Sequence, residues 1–106
     1  YLGLEKRFHY SSQLSDNHAE GRAERLIHLT KRLGSSTYIN ALNGQSLYEK
    51  DFLAAQGIDL SFIKPTLIPY SQGKSGDFIS GLSIIDVLMW NEPSRIIQFL
   101  TQYSLE

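Results

Sequence analysis

The fold is decided by residues 37–64, which read TYINALNGQSLYEKDFLAAQGIDLSFIK. Residues 37–41 are rich in β-favouring side chains and lead to the turn dipeptide Asn43-Gly44. Residues 46–56 predict a helix that buries Leu47, Phe52 and Ala55 and stops at Gly57. Residues 58–64 alternate apolar and polar side chains, which indicates a strand that Pro65 ends. This order predicts two parallel strands joined by a crossover helix.

The segment before residue 37 continues the same alternation of strand and helix. Residues 6–11 are bulky and aromatic, which predicts a first strand. A helix is expected near residues 20–33, with Asn17 and Glu20 as a candidate capping box and Gly34 as its C-cap. Apolar residues recur on one face of this helix at steps of three and four: Ala23, Leu26, Ile27, Thr30 and Leu33.

The segment after Pro65 does not continue this alternation of strand and helix. Residues 66–70 predict a short edge strand and residues 72–77 a loop. Helices are expected at residues 83–90 and 93–103, with Pro93 in the first turn of the second and Asn91 as its candidate cap. The expected fold class is therefore α/β: a small, mainly parallel, three-layer-like sheet with crossover helices, followed by two C-terminal helices. Residues 1–106 are expected to form a single α/β domain.

Composition and charge limit the possible partners. Of the 106 residues, 42% are hydrophobic, the formal net charge is −1, and there is no cysteine. The charge leaves no basic surface to neutralise phosphates, so a nucleic-acid partner is not expected. The lack of cysteine excludes disulfides and thiolate metal sites, and it is compatible with a cytoplasmic location. No apolar run approaches the ~20 residues that span a bilayer, so no membrane insertion is expected.

The histidines do not indicate a metal centre. His9, His18 and His28 lack the spacing of metal ligands. Glu24 and His28 are four residues apart on the predicted helix, where such a pair is typical of a solvent-facing surface. The sequence therefore predicts neither a metal site nor a bound cofactor.

Ligands of parallel α/β sheets bind at the carboxyl ends of the strands, which makes the segments after the predicted strands candidate sites. Ser11 lies at the end of the first of them. Asn43 and Gly44 follow the second, where they either aim backbone N–H groups at an anion or form a plain turn. Tyr70 and Gln72 lie in irregular chain after the third, where large amphipathic side chains often line pockets.

One carboxylate lies in the nearly all-apolar run FISGLSIIDVLMWN at residues 78–91. Ser83 and Asp86 have the spacing of a capping box at a helix start. Alternatively, the two residues lie at the rim of a pocket that holds a polar ligand. We expect a mixed arrangement, in which Ser83 caps the helix and Asp86 faces a cavity shared with Tyr70 or Gln72.

Short motifs along the chain carry a family resemblance. In chain order they are Ser11-Ser12, Glu24-Arg25-Leu26-Ile27, Leu33-Gly34, Thr37-Tyr38-Ile39, Asn43-Gly44, Tyr48, Phe52, Gly57-Ile58, Tyr70-x-Gln72, Gly76-x-Phe78 and Leu82-Ser83-Ile84-Ile85-Asp86. With these motifs in this order, the chain resembles the carboxyl-terminal half of the WbqC-like family of bacterial proteins. The last motif, with Asn91 behind it, is the most specific.

The resemblance implies a cytoplasmic role in the assembly of lipopolysaccharide or O-antigen, with a transferase that uses an activated sugar or acyl donor. The implied partner is thus a nucleotide sugar or another small activated donor. The residues that would contribute to the ligand site are Ser11, Glu24, Asn43, Gly44, Tyr70, Gln72, Ser83 and Asp86. A non-catalytic binding module and a purely structural domain are the alternatives, because both would need the same fold.

The chain departs from the family pattern in two places. Arg22 and Ala23 stand where the family has lysine and threonine before the Glu-Arg-Leu run. The family's amino-terminal motif, a His-Gln-Pro segment followed by a Tyr-Leu-Pro-Trp-like run, does not occur in residues 1–106. We therefore expect this chain to be the C-terminal portion of a longer protein and to lack turnover on its own.

Overall fold

The computed structural model describes residues 1–14, 21–73 and 76–106. Its helices are α1 (Ser11–Leu14), α2 (Arg22–Arg32), a 3₁₀ helix (Leu42–Leu47), α3 (Lys50–Ala55), α4 (Ile84–Trp90) and α5 (Pro93–Phe99). Its strands are β1 (Thr37–Ala41), β2 (Asp59–Pro65) and β3 (Tyr103–Leu105). None of the described helices is long and apolar enough to cross a membrane.

The chain divides into two compact units. The sheet unit comprises Lys6–Lys64 with Leu105–Glu106, and the helical unit comprises Tyr1–Glu5 with Pro65–Ser104. The sheet unit contains the larger apolar core. Leu53, Ile58, Leu60 and Phe62 are nearly inaccessible there and pack with Leu26 and Ile27 of helix α2.

The central prediction of a parallel strand pair is confirmed. Strands β1 and β2 pair in parallel, with Thr37 opposite Asp59 and Ala41 opposite Ile63. Residues 42–58 connect them, which is long enough for the crossover that parallel strands require. Leu60 and Phe62 are buried while Ser61 and Ile63 are half-buried, as expected when alternate side chains face the core.

The prediction of a mainly parallel sheet is wrong at its third strand. The strand order is β1-β2-β3, and residues 6–10 form no strand, while Ser11–Leu14 is a helix. Phe62 and Glu106 exchange both backbone hydrogen bonds, at 2.7 and 2.9 Å, which is the pattern of an antiparallel pair. The fold is thus a mixed α/β arrangement. The aromatic residues at positions 6–10 favour a strand only where a partner strand is available. Strand β2 offers them no free edge, because β1 pairs with one of its edges and β3 with the other.

Three further predictions need correction. Residues 66–70 form no strand. The last helix ends at Phe99, because residues Tyr103–Leu105 are in strand β3. The N-cap of helix α5 is Glu92, whereas Asn91 is the C-cap of helix α4, and its Nδ2 donates to the Val87 carbonyl at 2.9 Å.

The predicted helix over residues 46–56 is interrupted, and this changes which side chains are buried. The 3₁₀ helix ends at Leu47 and helix α3 begins at Lys50, with extended backbone at Tyr48 and Glu49. The interruption resets the helical phase, so Leu53 faces the core while Leu47 and Phe52 are largely exposed. The predicted burial of Leu47, Phe52 and Ala55 is therefore wrong.

The predicted C-caps are confirmed. Gly34 has φ near +69°, and its N–H donates to the Lys31 carbonyl while the Ser35 N–H donates to the Thr30 carbonyl. This pair of bonds is a Schellman motif, which needs a left-handed residue and favours glycine. Gly57 ends helix α3 in the same way. The capping box expected at Asn17 and Glu20 lies outside the described residues.

Candidate functional site

Three of the predicted site residues meet in the helical unit. The Tyr70 hydroxyl donates to Asp86 Oδ2 at 2.5 Å, and Gln72 Nε2 donates to the same oxygen at 2.9 Å. Tyr70, Gln72 and Asp86 are all half-buried. Both bonds have a carboxylate acceptor, which makes them stronger than bonds between neutral groups. We call these three residues the Asp86 cluster.

Gln72 is held in a single orientation by the backbone of Ile79. Its Nε2 donates to the Ile79 carbonyl at 2.9 Å, and its Oε1 accepts the Ile79 N–H at 2.9 Å. Both hydrogens of the amide are thus used, one on Ile79 and one on Asp86. An amide flip would place like groups against each other at Ile79, so the Gln72 side chain is fixed relative to Asp86.

Ser83 and Asp86 have separate roles at the start of helix α4. Ser83 is the N-cap, and its Oγ accepts the Ile85 N–H at 3.2 Å. In the described part of the chain the Asp86 carboxylate bonds to side chains and to no backbone N–H of its own helix. The capping-box alternative is therefore wrong for Asp86, and the predicted cap at Ser83 is confirmed.

Tyr70 also connects the cluster to an apolar cavity of about 160 Å³. Its ring packs edge-on against Phe78, with centroids 5.1 Å apart, and lies 6.0 Å from the Phe99 ring. All three rings line the cavity, together with Ile84 and Val87 of helix α4. Asp86 itself does not line this cavity, so the expectation that its carboxylate faces a cavity shared with Tyr70 is wrong for this cavity. Asp86 contacts the lining residue Tyr70 through the hydrogen bond to its hydroxyl.

The hydrogen bond to Asp86 raises the pKa of Tyr70, and partial burial of the phenol acts in the same direction. The phenol therefore keeps its proton at neutral pH and donates a hydrogen bond to the carboxylate. Among the described residues, Asp86 Oδ1 has no hydrogen-bond partner. The donor hydrogens of the cluster are thus already in use, and only acceptor positions are left without a partner among the described residues.

The other predicted site residues lie in the sheet unit. Ser11 is exposed at the start of helix α1, and Asn43 is exposed in the 3₁₀ helix. The exposed Glu24 folds back towards Gly21 at the start of helix α2, since its carboxylate occupies the space of a Cβ at that glycine. Such a contact is typical of an acidic residue at the third helical position.

Gly44 is buried beneath a side chain that the sequence analysis did not single out. The Asn40 amide occupies the space where a Cβ on Gly44 would lie, and Asn40 Oδ1 accepts the Ala41 N–H at 2.8 Å. Gly44 is thus needed for close approach of this side chain. The use of Asn43 and Gly44 as anion donors stays a prediction. The position of Asn40, four residues before Gly44 at the end of a strand, was the only available signal.

The eight predicted residues do not form one cluster within either unit. Ser11, Glu24, Asn43 and Gly44 belong to the sheet unit, and the other four belong to the helical unit. Sequence reasoning missed Phe99 as a cavity residue and Ile79 as the backbone partner of Gln72. In residues 1–14, 21–73 and 76–106, no three acidic or histidine side chains are grouped to hold a metal ion.

The fold and site define a small mixed α/β protein with a hydrogen-bonded carboxylate beside an apolar cavity. The WbqC-like protein family model matches residues 1–98, which is most of the chain. The chain therefore belongs to the WbqC-like family. No curated protein and no solved structure matches the chain significantly.

Proposed function

We propose that this chain supplies a ligand-binding portion of a WbqC-like transferase that acts in the assembly of bacterial lipopolysaccharide or O-antigen. The donor is an activated sugar or an activated acyl group. Membership of the family supports this setting. The observation that carries the binding role is the Asp86 cluster, in which a half-buried carboxylate keeps one oxygen unpartnered among the described residues.

The chemistry of the cluster favours a ligand group with hydrogens to donate. Asp86 Oδ1 and the lone pairs of the Tyr70 oxygen are acceptors, and the Gln72 amide has no hydrogen to spare. A sugar hydroxyl or an ammonium group matches this arrangement, whereas a phosphate does not. The cluster would therefore orient the hydroxyl or amine that receives the transferred group, with Tyr70 and Gln72 holding Asp86 in place.

The remaining parts of the proposal concern location and partners. We place the protein in the cytoplasm, to which its lack of cysteine is suited. Its partners are small activated donors and a hydroxyl- or amine-bearing acceptor. The near-neutral charge gives no support to a nucleic-acid partner.

A structural role is the second candidate, and one observation favours it. Oδ2 of Asp86 bonds to two side chains 14 and 16 residues away, so the cluster ties the segment after Pro65 to helix α4. A buried or half-buried network of this kind rigidifies a protein even when it binds nothing.

Ligand titration of two variants separates these candidates. Nucleotide sugars, acyl thioesters and amino sugars are titrated calorimetrically against the wild type, Asp86→Asn and Tyr103→Phe. Tyr103 is the control, because this residue is half-exposed and its hydroxyl has no hydrogen-bond partner in the described part of the chain. The binding role predicts that Asp86→Asn weakens amino-sugar or hydroxyl-ligand binding by about tenfold or more, the size of one charged hydrogen bond. Unchanged dissociation constants with a lowered unfolding midpoint would leave only the structural role.

Turnover is tested with the same donors, using this chain and the product of the complete natural gene. We expect transfer by the complete product and none by residues 1–106 alone. Turnover by the 106-residue chain on the order of 1 to 1,000 per second would contradict the idea that it carries only part of the site.

A further inference from the structure

The cavity beside Tyr70 differs chemically from the Asp86 cluster. Its lining is aliphatic and aromatic, and the polar side chains among its lining residues are those of Thr66, Tyr70 and Gln102. The Tyr70 hydroxyl already donates its hydrogen bond to Asp86, and Gln102 Nε2 donates to Thr101 at 3.3 Å. A sugar ring placed here would lose the hydrogen bonds that its hydroxyls make with water. The cavity therefore favours an apolar guest.

The size of the cavity narrows the class of guest. Its volume of about 160 Å³ is close to that of an engineered apolar protein cavity of about 150 Å³ that holds benzene. We infer that this cavity binds a short acyl chain of about four to six carbons, so that the activated donor carries an acyl group and not a sugar. This inference rests on the proposed transferase function and names its donor class.

The position of Tyr70 explains how one site would serve two substrates. Tyr70 lines the apolar cavity, and its hydroxyl belongs to the Asp86 cluster. An acyl chain in the cavity would thus lie within one tyrosine side chain of the carboxylate. The oxygen or nitrogen of an acceptor bound at Asp86 would then attack the acyl carbonyl of a thioester donor from the polar side. The new ester or amide bond would form as the C–S bond breaks, and the acceptor's proton would pass by way of Asp86 to the departing thiolate.

The dependence of binding on the length of the acyl chain tests this inference. Acetyl, butanoyl, hexanoyl and decanoyl thioesters of N-acetylcysteamine are titrated calorimetrically against the 106-residue chain. We expect the dissociation constant to fall by roughly fourfold for each methylene that enters the cavity. The fall should stop near six carbons, because longer chains extend beyond the cavity.

Matched variants assign this dependence to the cavity. Ile84 and Ile85 are adjacent, both exposed by more than half, but only Ile84 lines the cavity. Ile84→Ala should shift the preferred chain by one or more carbons towards longer chains, and Ile85→Ala should not. Val87→Phe should shift the preference towards shorter chains. A preferred length that is the same in Ile84→Ala and Ile85→Ala would overturn the inference.

The outcomes distinguish this inference from the proposed function. If thioesters bind without chain-length dependence while an amino sugar binds in an Asp86-dependent manner, the acyl cavity is wrong and the proposed function stands. If chain length matters but Asp86→Asn weakens no ligand, the cavity is right and the role of the Asp86 cluster is wrong. If neither class of ligand binds, both are wrong.

Discussion

The replacement Asp86→Asn tests the central hydrogen-bond network directly. Both donors, the Tyr70 hydroxyl and Gln72 Nε2, bond to the same oxygen, Oδ2. An asparagine carbonyl can take the place of Oδ2 and keep both bonds, since Gln72 is fixed by Ile79. The variant therefore removes the charge and preserves the geometry.

The expected loss of unfolding free energy follows from the two hydrogen bonds to Oδ2. A hydrogen bond to a charged group contributes about 1.5–3 kcal/mol and a neutral one about 0.5–1.5 kcal/mol, so each bond loses about 1 kcal/mol. Partial exposure of Asp86 lowers this loss through solvent screening, whereas removing an acid from the first turn of helix α4 adds about 0.3–1 kcal/mol. We expect the free energy of unfolding to fall by about 1–2 kcal/mol.

Urea unfolding is the assay. Trp90, the only tryptophan, lies in the helical unit with Asp86, so its fluorescence reports on that unit. The control is Glu92→Gln, which removes an exposed acid from the start of helix α5 in the same unit. The slope of unfolding free energy against urea should stay constant. A loss for Asp86→Asn no larger than that for Glu92→Gln would refute the reasoning, because only the helix-dipole contribution would then be present.

Three further predictions concern other parts of the molecule. The hydrogen bond to Asp86 raises the pKa of Tyr70. The stabilisation from this bond is therefore complete below the unfolded pKa of about 10 and is lost as pH rises through the folded pKa. Absorbance titration should show one late-ionising phenol fewer in Tyr70→Phe, although Tyr38, whose pKa burial raises, should still ionise late. Gly44→Ala should destabilise by about 1 kcal/mol by displacing Asn40, and this loss should shrink in the Asn40→Ser background; equal losses in both backgrounds would contradict the contact. Leu53→Ala should cost about 2–5 kcal/mol, since Leu53 is fully inaccessible, and a loss below about 1 kcal/mol in urea unfolding would contradict its place in the core.

The sequence predicted which side chains of the site lie together, but it did not predict the hydrogen bonds between them. The position of Asp86 in an apolar run, three residues after Ser83, indicated a carboxylate with a special role, and Tyr70 and Gln72 were expected near it. The structure confirms that these three side chains meet. Nothing in the sequence indicated that both donors share Oδ2, or that Ile79 fixes Gln72, because backbone groups carry no sequence signal.

The sequence by itself determined three local features, which are the left-handed C-caps at Gly34 and Gly57 and the N-cap at Ser83. Its strand-helix-strand order also predicted the parallel pairing of β1 with β2. Each cap depends on the backbone conformation of a few adjacent residues, which their side chains control directly. Only the tertiary structure decided that the third strand is β3 and that the sheet is mixed. It also decided the bonds of Asp86 to residues 14 and 16 positions away and the apolar cavity beside Tyr70. These features depend on contacts between distant segments, for which local propensity provides no preference.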